Sequence, residues 1–213
     1  VITAELSDMM WRDCYKVSSI ERYPLAWDKR DIDTALDSWY IHDFGVPWKH
    51  HDWELTLHPA GHIPGAAMLH ITTPETTVLL TGDFDTRDSS LVHGAQPVKT
   101  DILFVEGTYG GRDHPPKQEE IDRFISSVEA VVRRGGTVLI PAFANGRTQD
   151  VVMMLHQYLP RLNVHVDGMG KRVAKTHMNH PKLLRDSTAL ERAWRWAKQV
   201  SSKSDRKKAL AAD

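Results

Sequence analysis

Apolar residues recur along this chain in two rhythms, one helical and one strand-like. Leu6, Met9, Met10 and Val17, with Asp13 among them, fall on one side of a helix over residues 5–17 that Thr3 is placed to cap. Acidic residues at the front of 31–38 suit the amino end of a second helix. Residues 39–44 read as a short strand and 52–57 alternate as another. Two compact apolar runs, 66–71 and 77–80, have the length and composition of buried strands, and 102–105 is a third. Pro115 and Pro116 suit a helix start, and Ile121, Phe124, Ile125, Val128, Val131 and Val132 then share one face of a helix over 118–134. Gly135 and Gly136 stop it. A strand over 137–140, a loop over 141–146, a helix over 147–158 and a strand over 163–166 follow. After Asp167 the chain reads as helices, and beyond Ser201 too few apolar residues remain to expect order.

Strand, helix, strand, helix, strand at this spacing describes a right-handed parallel α/β unit, expected as a small sheet of its own after Gly111. The expected organisation is therefore α/β, with one domain over residues 1–111 and a second over 112–213 that ends in a basic helical tail from about 187. A length of 213 residues suits one or two domains. The net charge of −1 excludes a global field toward nucleic acid, although Lys and Arg outnumber Asp and Glu between Lys171 and Lys208. That run reads first as a solvated face. The single cysteine, Cys14, leaves no intramolecular disulfide and fits a reducing cytoplasm. No apolar run approaches the roughly 20 residues that span a bilayer, and no secretory leader opens the chain. The start at Val1 rather than methionine fits a partial chain. Seven tryptophans read as core and edge packing in preference to base stacking.

The candidate chemistry sits at strand ends. His62 lies in the Gly-rich loop before the 66–71 run, and Asp83 lies just past the 77–80 run. An imidazole and a carboxylate suit zinc, although each also has a plain reading, as a hydrogen-bonded loop histidine and as an Asx turn. Glu106 ends the 102–105 run and is followed by Gly107, Gly110 and Gly111, which permit sharp turns or close approach to a ligand. Asn145, Gly146 and Arg147 lie between a strand and a helix, where free amides and a guanidinium favour an anion. A helix cap by Asn145 is the ordinary alternative.

The order of these motifs resembles a known family. A-G-H-I-P-G-A followed by T-G-D-F-D is similar to the third and fourth metal motifs of the metallo-β-lactamase fold. D-I-L-F-V-E-G-T-Y-G-G resembles the first motif of its β-CASP branch, and V-L-I-P-A-F-A-N-G-R-T-Q-D the opening of the β-CASP insert in RNA-processing members. The resemblance implies part of an αββα sandwich followed by part of a β-CASP parallel α/β domain. It implies a ribonuclease with two zinc ions, His62 and Asp83 as ligands, Asp83 bridging, and Glu106 orienting a metal-binding histidine. RNA is the implied substrate, held as a phosphate by Asn145, Gly146 and Arg147. A second copy, or the subunits of a processing complex, are the implied protein partners. The family's His-x-His-x-Asp-His motif is absent from these residues and is expected before Val1. A non-catalytic subunit and a thioester or lactone hydrolase on the same sandwich are the alternatives, and the β-CASP-like insert argues against the latter.

Overall fold

The computed structural model describes residues 1–211, and its chain is α/β, divided into two units. The first unit comprises Val1–Arg87 and Gly94–Val105, the second Asp88–His93 and Glu106 onward.

The first unit opens with helices α1 (Ile2–Glu21) and α2 (Lys29–Asp37). Thr3 lies inside α1 rather than capping it, because Val1 takes the cap position with no side-chain bond. Asp28 caps α2 in a capping box with Asp31. The two helices meet through an Arg12–Asp33 ion pair at 2.6 Å, and Trp39, just past α2, sits edge-on to Trp11 at 5.6 Å. No strand forms over 39–44. Trp39 and His42 make ring contacts instead, with His42 stacked on Trp48 at 3.8 Å.

Five strands follow in simple order: β1 (Trp48–His50), β2 (Trp53–Pro59), β3 (Ala67–Thr72), β4 (Thr77–Leu80) and β5 (Ile102–Phe104). β1 to β4 are mutually antiparallel, and β5 joins β4 in parallel. The carboxyl ends of β2, β4 and β5 therefore lie at one edge of the sheet, together with the amino end of β3. Met68, Leu79, Ala60 and Ala95 form the buried cluster beside that edge, joined by Phe84 and Val98. β5 is the edge strand opposite β1, and Ile102, Leu103, Phe104 and Val105 remain 45–61% exposed.

The second unit holds helices α3 (Lys117–Arg133), α4 (Arg147–Tyr158), α5 (Gly170–Asn179), α6 (Ser187–Trp196) and α7 (Lys203–Ala211), with a 3-10 turn over Pro181–Leu183. α3 stops at Gly135, whose φ of 76° only glycine adopts without strain. Its sheet is two short parallel strands, β6 (His165–Val166) and β7 (Lys198–Gln199). The expected sheet of three parallel strands does not form among the described residues. The 102–105 run belongs to the first sheet, and 137–140 has no ladder partner. Val138 and Ile140 still pack on the Val128, Leu155 and Leu159 cluster while Leu139 is 85% exposed, so the alternation is that of a strand but the pairing is missing. The second core gathers Leu91, Val92, Val152, Met153, Leu190 and Trp194, which confirms packing for that tryptophan. The basic helical tail expected from about 187 holds α6 and α7, the latter where fraying was expected beyond Ser201, and residues 212–213 lie outside the described residues. Among the described residues, no helix is long and apolar enough to cross a membrane.

Candidate metal edge and phosphate turn

The loop after β2 and the loop after β4 are locked together by backbone. Ala60 N–H donates to Ala66 O at 2.9 Å, closing the His62 loop, and Ala66 N–H donates to Ile63 O at 3.0 Å. Asp85 N–H donates to Ala60 O at 3.0 Å, and Ala95 N–H donates to Asp85 O at 2.8 Å. Gly61 sits in this knot at φ +71°, where a Cβ would lie 2.2 Å from Asp85 O and 2.4 Å from Ala95 N. Gly82, at φ +56°, brings the end of β4 close to Ala67 O. His62 and Asp83 thus stand two residues from the bonded pair Ala60 and Asp85, at one edge of one sheet, and both side chains are exposed. Asp85 is already engaged: its carboxylate takes a forked contact from Arg87 at 3.1 Å to each oxygen. That guanidinium pairing leaves His62 and Asp83 as the accessible donors of the two loops.

Glu106 belongs to the second unit, is half-buried, and accepts from Thr108 N–H at 2.8 Å. The turn behind it closes through Gly110 N–H to Gly107 O at 2.9 Å.

The 145–147 turn differs from a plain cap. Gly146, at φ 82°, takes the cap position of α4, and no side chain caps the helix. Two backbone donors are engaged internally: Arg147 N–H points to Asn145 O at 3.1 Å and Thr148 N–H to Phe143 O at 3.0 Å. The exposed Arg147 guanidinium and the Asn145 side-chain amide are the side-chain donors the turn offers an anion. Asn145 Oδ1 is 3.0 Å from His177 Nε2, and His177 is fully buried on α5. Gln149, also fully buried, donates from Nε2 to Ala144 O at 3.0 Å and to Gly170 O at 2.9 Å. Burial pushes the Asp150 carboxyl upward, against the opposing influence of Arg147 and Lys117.

His177 and Gln149 carry no role in the sequence reading. The available signal is the stripe Gly170, Val173, Ala174 and His177, which puts an imidazole in an otherwise apolar face. Burial, with a smaller contribution from His180, lowers the His177 pKa from 6.5 to about 4. Because the folded pKa lies below the unfolded one, the unfolded chain takes up the proton first on acidification. Stability is then full above pH 6.5 and is lost as the pH falls toward about 4. The unfolding midpoint measured across this window should drop on acidification, and His177→Gln should flatten that drop.

These features, a mixed sheet presenting a Gly-His and a Gly-Asp loop at one edge and a following helical unit with an Asn-Gly-Arg turn, define an α/β chain with a ligand edge. Comparison with family profiles returns no match. Among individual proteins, the chain is 32% identical to the "Probable RNase MJ4" of Methanocaldococcus jannaschii over 99% of its length and 51% of the relative's. It is 38% identical to cleavage and polyadenylation specificity factor subunit 3 of Dictyostelium discoideum over 73% of the chain and 20% of that protein. It is 26% identical to the RNase aCSPSF2 of Saccharolobus solfataricus over 98% of the chain and 42% of that protein. The chain belongs to the β-CASP branch of the metallo-β-lactamase superfamily. It spans about half the length of the first of these relatives and less of the others.

Proposed function

We propose that this chain is part of a zinc-dependent hydrolase that cleaves RNA phosphodiester bonds. The observation that carries the reading is the backbone bond from Asp85 to Ala60, which keeps the His62 and Asp83 loops at one sheet edge. Residues 1–111 supply the ligand edge, and 112–213 supply the β-CASP lobe that engages the strand.

The donors fit zinc in kind, being one imidazole and one carboxylate, but not in number. Among the described residues no group of three or more His, Cys, Asp or Glu side chains stands ready for a metal. A four-coordinate site needs ligands beyond these two. Bound zinc would lower the pKa of a coordinated water and polarise a phosphoryl oxygen. This chain's own share is to place His62 and Asp83 on fixed loops, to hold a phosphate with Arg147 and Asn145, and to steady a ligand histidine through Glu106.

Metal analysis tests the division of labour. The 213-residue chain, dialysed against zinc, should retain far less than one tightly held ion per molecule. Two tightly held ions would contradict a ligand set completed from elsewhere.

A further inference from the structure

Among the described residues, the buried side-chain polar atoms without a partner are His70 Nε2, Gln149 Oε1, Asp150 Oδ1 and His177 Nδ1. Three of these four surround the turn that opens α4, and such groups ordinarily find partners. An apolar residue would fill position 177 at less cost, since an unmet buried polar atom disfavours folding. Packing alone therefore does not account for an imidazole there.

Its bonding gives the account. A neutral ring has one N–H. A proton on Nδ1 would leave a buried donor unmet and set the Nε2 lone pair against Asn145 Oδ1. The proton thus sits on Nε2, which donates to Oδ1 at 3.0 Å. With Oδ1 held from behind, the Asn145 amide cannot flip, and its Nδ2 hydrogens make no hydrogen bond among the described residues. Gln149 clamps the same turn by bridging Ala144 O and Gly170 O. Gly170 is pressed against Thr148, whose Cγ2 would lie 2.8 Å from an added Cβ. α5 is thus the back plate of the turn. With the Arg147 and Thr148 amides engaged within the turn, the Asn145 side-chain amide is a neutral donor beside the Arg147 cation.

We infer that His177 is a positioning residue for RNA, fixing the Asn145 amide so that its Nδ2 donates to a backbone phosphate held beside Arg147. The inference rests on the phosphate reading of that turn given above.

The test uses the 213-residue chain and a fluorescent single-stranded oligouridylate, with affinity read by anisotropy and folding by circular dichroism. Arg147→Ala and His177→Leu should each weaken binding about tenfold, the size of one charge-assisted contact. His177→Gln, whose Nε2 can take over the donor position, should bind like the parent. The pair His177→Leu with Asn145→Ala should bind no more weakly than Asn145→Ala alone, because the two act as one unit. In the unchanged chain, the Asn145 side-chain amide resonances should shift on adding the oligonucleotide, a readout independent of any variant's folding. If the chain does not bind, or Arg147→Ala binds as tightly as the parent, the phosphate reading fails and this inference falls with it. If Arg147→Ala weakens binding, three results each overturn the inference alone: a folded His177→Leu with parental affinity, His177→Gln as weak as His177→Leu, or silent Asn145 resonances. Additive losses in the double variant would do the same.

Discussion

Replacing Asp83 with alanine in the proposed full-length ribonuclease should stop RNA cleavage, with kcat lowered about a thousandfold or more. The expected size follows from the charge stabilisation a metal ligand supports, several kcal/mol in the transition state, at about tenfold per 1.4 kcal/mol. Asp83 is the exposed carboxylate of the T-G-D-F-D loop, and nothing in the fold depends on it: no hydrogen bond or ion pair among the described residues engages its side chain. The variant should therefore fold with the parent's stability. Asp85 provides the contrast within the same loop. Its carboxylate is occupied by the Arg87 fork and by Arg87 N–H at 2.9 Å, so Asp85→Asn should retain most of the activity. Cleavage of a labelled RNA at saturating metal separates the two. Normal turnover by Asp83→Ala would remove that residue from the site.

The second large effect is structural. Gly61→Ala should destabilise the first unit by about 3 kcal/mol or more. Two costs add: a positive φ imposed on a residue with a Cβ, and an overlap with backbone atoms that no rotamer change can relieve. The obstructing atoms, Asp85 O at 2.2 Å and Ala95 N at 2.4 Å, are hydrogen-bonded to each other, and Asp85 is tied through its own N–H to Ala60 O. Gly45 has nearly the same φ, +72°, with nothing within 4 Å of an added Cβ. Gly45→Ala should thus carry only the conformational cost, about 1–2 kcal/mol. Denaturant unfolding followed by tryptophan fluorescence measures both, and equal losses would mean that the loop knot relaxes.

Where each element stabilised itself locally, the sequence was readable. α4 was expected over 147–158 and spans Arg147–Tyr158, because its apolar spacing and its glycine-bearing start agree. β3 and β4 followed from two compact apolar runs, since strands in the middle of a sheet need little else to specify them. Residues 137–140 carry the same signal and form no strand, because a ladder needs a neighbour and composition cannot supply one. β7 was invisible for the opposite reason: Lys198 and Gln199 have no apolar signature and pair only through backbone. α7 fits the basic helical tail expected from about 187, since Lys, Arg, Ala and Leu are strong helix formers, although fraying was expected beyond Ser201. At the candidate site, the positions of His62 and Asp83 in strand-end loops were legible from glycine placement. The partnership of Asn145 with His177 was not, since it joins residues 32 apart through a helix whose register alone decides which side chain faces the turn.

The apolar edge strand of the first sheet, β5, has its own consequence for handling this protein. β5 turns one row of peptide groups away from β4, and four oily side chains crowd around that row. Such a margin is a template for cross-chain association. Concentrated stocks of this chain would therefore self-adhere along that margin first, before either core loosens.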